Sequence, residues 1–289
     1  MKKLTFILAA MLTIFSTSAK ESKQDSLISS KPTKVEIKLE LLNRYPYAYT
    51  NDKGNIEGIE IEILHSFSKW LKKNKNIQLK YVLNQHESFS EFYETVKSSK
   101  SNTLGAGTVT IKKERAAELN FSPAYLKNES VLISSGKANY LSNMQMFESN
   151  FKGYTAIAAE NSVHHKHLLK LKELHYPELQ IKTIKDQEEL FKLIAEKDSK
   201  YLGYVDLISF WKFRTTDKEI PIKIHRIADV SEEHFGFIFP KSNTELKDYF
   251  DEFFEYGFGF TETKEYHKIL AKYLGEEVVK SVEINYSSL

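Results

Sequence analysis

From Val35 to Leu41 apolar and charged side chains alternate (Val-Glu-Ile-Lys-Leu-Glu-Leu), the period of two that turns one face of a β-strand toward a core. The period then changes. After the turn residues Asn51-Asp52-Lys53-Gly54-Asn55, the residues Ile59, Ile63, Leu64, Phe67, Trp70 and Leu71 recur at helical spacing and predict an amphipathic helix over 59–71. The same tests predict a strand at 77–83, a helix at 89–98 and a short strand at 103–108. In the second half they predict strands at 155–159, 180–184, 202–205 and 236–239. Helices are predicted at 164–174, 187–196, 207–214, 244–256 and 261–273. Alternating strands and helices point to an α/β layer architecture, and their order reads as two similar units with the chain returning to the first.

Two segments fall outside this pattern. Met1 to Ala19 joins Lys2 and Lys3 to an apolar run from Leu4 to Phe15 and small residues at Thr17, Ser18 and Ala19, the layout of a secretory signal peptide cleaved after Ala19. The run is too short for the ~20 residues that cross a bilayer. Lys20 to Lys34 is polar and aperiodic, and reads as a disordered leader.

The chain carries 41 Lys+Arg against 39 Asp+Glu. Loss of a leader holding two lysines and no acid leaves these charges balanced, which removes any argument for nucleic-acid binding. There is no cysteine among the 289 residues. A disulfide framework, a thiolate metal site, a Cys nucleophile and a lipid-anchored Cys are thereby excluded. An exported protein with no tether implies a periplasmic location.

One stretch carries a family resemblance: Gly107-Thr108-Val109-Thr110-Ile111-Lys112-Lys113-Glu114-Arg115, followed by Phe121-Ser122-Pro123-Ala124-Tyr125. It resembles the G-x-x-T-I-T-x-E-R … F-S-x-x-Y signature of bacterial extracellular solute-binding proteins, family 3, the amino-acid-binding components of ABC importers. Tyr45-Pro46-Tyr47 with Gly54 and Gly58 to Glu62, Phe151-Lys152-Gly153 to Ser162, Tyr204-Val205-Asp206, His234 to Lys241 and Tyr273-Leu274-Gly275 are similar to further family segments, in the same order.

The resemblance implies a two-lobed periplasmic-binding-protein fold of type II, each lobe a sheet flanked by helices, joined by a two-strand hinge. Lobe 1 would comprise 35–127 and 234–276, lobe 2 would comprise 131–229, and 277–289 would be a C-terminal tail. It further implies a monomer that closes on a small polar ligand and docks transiently on a membrane ABC permease, with no cofactor and no nucleic acid.

It also implies roles for particular residues. Arg115 would grip a carboxylate through its planar fork, with Thr110 donating beside it. Asp206 would accept from an ammonium and the backbone near Ser162 would donate to the carboxylate, while Tyr47 and Phe89 would sandwich the ligand. Asp206 equally fits a cap for the helix starting at Leu207. Two positions depart from the family: Lys112 stands where a threonine is usual, and Asn161 where a glycine often lies. A Lys112 facing the cleft would favour an acidic ligand. His164, His165 and His167 admit a metal site, although no acid or cysteine stands at ligand spacing beside them.

Two other functions fit the same scaffold. A dehydratase could use a cleft acid such as Glu160. A sensor or binder of cell-wall fragments is the other, because Asn161 to Leu179 and Phe254 to Gly275 also resemble the regulatory half of membrane-bound lytic murein transglycosylases.

Overall fold

The computed structural model describes residues 31–100, 102–185, 187–216, 220–255 and 259–282. The signal peptide and most of the leader expected from the sequence lie outside the described residues. The chain runs β1 (Thr33–Leu42), a hairpin of β2 (Tyr49–Thr50) and β3 (Ile56–Glu57), α1 (Ile59–Lys75), β4 (Ile77–His86), α2 (Phe89–Ser98), β5 (Thr103–Thr110), α3 (Lys113–Glu118) and β6 (Leu119–Phe121). Next come β7 (Leu126–Ser135), α4 (Phe147–Phe151), β8 (Thr155–Ala159), α5 (Val163–His175), β9 (Gln180–Ile184), α6 (Gln187–Ala195), β10 (Tyr201–Asp206), α7 (Leu207–Thr216) and β11 (Ile222–Ile224). The last elements are β12 (Val230–Pro240), α8 (Thr244–Phe253), α9 (Lys264–Leu274) and α10 (Glu276–Val282).

One ten-stranded sheet holds nearly all the strands, in the order β4-β1-β5-β12-β7-β10-β8-β9, with β6 beside β12 and β11 beside β7. β1 pairs parallel with β4 and β5, and β8 pairs parallel with β9 and β10. Between these blocks, β12 and β7 run antiparallel to each other and to their outer neighbours. The register of β12 shifts twice, between Val230 and Glu233 against β7 and between Gly236 and Ile238 against β5.

Alternation in the strands sends side chains to separate cores. In β1, Ile37, Leu39 and Leu41 enter a core rich in aromatics, with Phe67 of α1, Phe250 of α8 and Phe235, Phe237 and Phe239 of β12. Ile238 turns to the opposite face with Leu42, Phe92 and Val109. On the other side of the sheet's middle, Leu132 packs with Phe147, Phe151 and Leu168, while its neighbours Val131 and Ile133 pack with Ile157, Leu190 and Val205.

Most predicted elements are present, several with identical bounds. Three of the differences stand out. Thr33 and Lys34, expected in the leader, begin β1 and pair with Ile77 and Gln78. The expected tail begins as helix α10, because Val279 and Val282 recur on one face and are buried in the aromatic core. The third is β7, a ten-residue strand that the periodicity did not reveal. Among the described residues no helix is long and apolar enough to cross a membrane.

Candidate ligand-binding cleft

The sharp entry to α1 places the first polar groups. Gly58 has φ +135°, and a Cβ there would lie 2.1 Å from the Tyr47 carbonyl oxygen, so only glycine lets the helix start against that backbone. The start brings Glu60 N–H to the Tyr47 carbonyl at 2.9 Å and buries the Glu60 side chain completely. Its Oε1 accepts from the Thr108 N–H at 3.0 Å and from the Tyr125 hydroxyl. Burial raises the Glu60 pKa, and those two hydrogen bonds oppose the rise only in part.

Thr108 itself sits at φ +50° in β5. A β-branched residue there is strained, and such outliers cluster at functional sites. Its Oγ1 accepts from Arg44 Nη1 at 2.9 Å.

Two residues separate β5 from α3, which carries Arg115, a side chain in a residue only 5% exposed. Its Nη1 donates to the Thr110 carbonyl at 3.3 Å and its Nη2 to the Asn161 carbonyl at 3.2 Å. The guanidinium lies 5.0 Å from the Phe89 ring centre and 5.6 Å from that of Tyr93, a cation–π cradle. Burial lowers the Arg115 pKa, yet a guanidinium keeps its charge in proteins.

The β8–α5 turn faces it. Asn161 adopts φ +59°, the left-handed conformation in which asparagine substitutes best for glycine. Ser162 caps α5: its Oγ accepts from His165 N–H at 3.1 Å and donates to the Ala159 carbonyl at 2.6 Å.

Asp206 ends β10 and is 1% exposed. Asn128 Nδ2 donates to its Oδ1 at 2.9 Å, His164 Nε2 lies 3.4 Å from Oδ1 and Arg44 Nη1 lies 3.7 Å from Oδ2. Gln187, in the amide orientation that satisfies its neighbours, donates to Oδ2 at 3.2 Å and accepts from the Asp206 N–H at 2.8 Å. Arg44, Phe89, Thr110, Arg115, Ser162, His164 and Asp206 all line one cavity of about 20 Å³, space for about one water.

Five of the seven expected ligand-binding residues therefore converge: Phe89, Thr110, Arg115, Ser162 and Asp206. Two do not. Tyr47 is fully buried in the aromatic core, edge-on to Phe235 at 5.9 Å, because β1 and α1 close over it. Lys112 turns away from the cavity to Glu233, at 3.1 Å. Glu160, the acid considered for a dehydratase, is exposed and does not line the cavity. His164 and His167 face different carboxylates, Asp206 and Glu233, and among the described residues no group of three His, Cys, Asp or Glu is placed to hold a metal ion.

Glu233 forms a second node. Its carboxylate, 0% exposed as a side chain, accepts from Ser130 Oγ at 2.6 Å and Asn128 Nδ2 at 3.2 Å, and meets Lys112 and His167 Nε2 at 3.1 and 3.2 Å. Burial alone would raise its pKa, but the hydrogen bonds from His167 and Ser130 outweigh this and hold it at about 2. Asn128 bridges the two nodes.

Sequence reasoning missed Arg44, Asn128, Gln187 and Glu233. Arg44 carried one signal, a cation two residues beyond a strand whose last residues are apolar. The others are dispersed and have none.

A profile described as "Bacterial extracellular solute-binding proteins, family 3" matches residues 41–276. Among solved structures, the chain is similar to the arginine-, lysine-, histidine-binding protein ArtJ from Geobacillus stearothermophilus, with TM-score 0.67 and 18% identity, covering 85% of this chain and 99% of that one. It is similar to an ancestral arginine-binding protein bound to arginine, with TM-score 0.65 and 15% identity over 83% and 98% of the two chains. The GluR0 ligand-binding core from Nostoc punctiforme in complex with glutamate gives TM-score 0.64 and 15% identity over 83% and 99%. At these identities the likeness establishes the fold, the two-lobed α/β architecture of type II periplasmic binding proteins. A membrane-bound lytic murein transglycosylase F from Photobacterium profundum is 27% identical over 158 residues, 54% of this chain, and the match spans only 28% of that relative's length.

Proposed function

The chain belongs to the bacterial extracellular solute-binding proteins, family 3, and on that premise we propose that it captures an amino acid or similar small polar solute in the periplasm. In this reading it is not an enzyme. The solute binds between two lobes, residues 35–127 with 234–276 and residues 131–229, which swing about β7 and β12 and close on it. The closed form is then delivered to a membrane ABC importer in a transient encounter.

The observation that carries this is the convergence of Arg115 and Thr110 from one side of the sheet with Asp206 and the Ser162 turn from the other, around one buried cavity. A solute carboxylate replaces the Thr110 and Asn161 carbonyls on the Arg115 fork, gaining charge-assisted bonds where neutral ones stood. Asp206 supplies the acceptor for the solute nitrogen. Because the cavity holds about 20 Å³, entry of a solute requires the two sides to part. Calorimetric titration of the protein with amino acids and dicarboxylates tests the reading: binding of one class in the micromolar range, lost at least a hundredfold in Arg115→Ala, is expected. Binding unaffected by Arg115→Ala would refute it.

The match to the murein transglycosylase supports a second reading, a periplasmic sensor or binder of cell-wall fragments. Preference for muropeptides over every free amino acid in the same titration would favour it.

A further inference from the structure

Beside the small cavity lies a much larger one of about 630 Å³, lined on one side by Asn43, Arg44, Tyr45 and Glu87 and on the other by residues of α6 and α7. Arg44 and Gln187 line both cavities. They form the wall between them, and both are partners of Asp206. The larger cavity thus adjoins the small one on its Asp206 side and not on its Arg115 side.

Its lining is amphipathic. Phe191 and Phe213 stack with ring centres 4.3 Å apart and planes within 8°, and Tyr45 stands 42% exposed at its edge. Arg44, Lys192 and Lys212 face Glu87, Glu188 and Glu196, so neither charge sign dominates. Ser209 lines the same space, with its hydroxyl turned inward beside that of Tyr47.

Asp206 adds a constraint. It already accepts from Asn128 and Gln187 and lies beside His164 and Arg44, whose guanidinium balances its charge. A full ammonium gains little beside an acid so neutralised, whereas an amide N–H needs only one free lone pair.

We propose that the solute is a short peptide whose C-terminal carboxylate is held by Arg115, whose last amide N–H is offered to Asp206, and whose preceding residue occupies the larger cavity beside Phe191 and Phe213. This rests on the solute-binding reading and specifies its substrate class. A chain that leaves the Arg115-bound residue through its nitrogen runs toward Asp206 and hence through the Arg44–Gln187 wall, which is where the second space lies.

The test is calorimetric titration with three probes, L-alanine, N-acetyl-L-alanine and L-phenylalanyl-L-alanine, against the unmodified protein and two variants that fill the larger cavity. Ala195→Trp fills it from within; Lys192→Trp, at an exposed helix position, fills it from the rim if the first variant melts abnormally without ligand. The expected result is that the dipeptide binds at least tenfold tighter than alanine, that N-acetyl-alanine binds no worse than alanine, and that either variant removes the dipeptide's advantage while leaving N-acetyl-alanine unchanged. Alanine binding as tightly as the dipeptide, or a dipeptide advantage that survives both fillings, overturns the inference and leaves the solute reading standing. Failure of all three probes, together with failure of the wider amino-acid and muropeptide panel, overturns both.

Discussion

Glu60 and Glu233 are both buried, at 0% and 1% exposure, yet they are held in opposite directions. Glu60 is bonded by a backbone N–H and a tyrosine hydroxyl, neutral donors that do not make up for lost water, and its pKa rises. Glu233 is met by Lys112, His167, Ser130 and Asn128; burial pushes its pKa up, but the bonds from His167 and Ser130 and the nearby His164 bring it down to about 2. Burial is common to both, so the partners decide. Their reach also differs. Glu60 fastens β5 to α1 within one side of the sheet, whereas Glu233, on a strand that joins the two sides, draws in Lys112 from before α3 and His167 from α5. The first acid shapes a surface; the second ties two surfaces together.

The sharpest way to break this contrast is to remove each acid. Glu233→Ala should cost about 2–3 kcal/mol in urea unfolding, since buried Ser130 and Asn128 lose an acceptor and Lys112 and His167 their partner. Glu60→Gln should stay within about 1 kcal/mol, because the amide oxygen still accepts from Thr108. Equal losses would show that both acids act merely as buried polar groups.

Acid titration sharpens the same point. A carboxyl held at about 2 stabilises the fold fully above its ordinary value of 4.5, and that contribution fades as pH falls from 4.5 through 2. Glu60 has the reverse sign: its raised pKa makes stability decline as pH climbs above 4.5. Unfolding measured across pH should therefore show a shallower acid slope below 4.5 in Glu233→Gln and a smaller decline above 4.5 in Glu60→Gln.

A smaller effect separates the arms of the Glu233 node. Lys112 is 34% exposed as a side chain, so water already screens its pair, and Lys112→Met should cost under about 1 kcal/mol. Because Lys112 faces Glu233 and not the cavity, the same substitution should leave ligand affinity within about twofold in titration; a tenfold change would place the lysine on the ligand.

The alternating and helical periods of the sequence were enough to place α2, β8 and β9 to the residue and to find β1 and α1, which run on past their predicted bounds; α1 and α2 were plain because each packs one apolar face on one core. β7 escaped them. Its run Leu126 to Ser135 is buried on both faces and broken by Asn128, Ser130 and the serines Ser134 and Ser135, so neither period emerges. In the cleft, Arg115 and Thr110 were legible because a contiguous motif carries them. Arg44, Asn128, Gln187 and Glu233 lie on four different elements or their ends, and only the sheet order brings them around Asp206 and Lys112. Tyr47 shows the converse: a motif position fixes the backbone, but packing decides where the ring goes, and here it lies in the aromatic core with its hydroxyl toward Asp206 and Arg44.

The two register shifts in β12 give the molecule the mechanics of a plank scored across the grain. Hydrogen-bonded strands resist bending in the sheet plane, and a bulge is where the ladder is interrupted and the strand turns most cheaply. With one score facing β7 near Glu233 and the other facing β5 near Gly236, both interruptions fall within a few residues of one another. In the reading proposed above, that short stretch is where the angle between the two sides of the sheet would change, and an occupied cleft would be registered as an angle, a quantity legible from the outside of the protein.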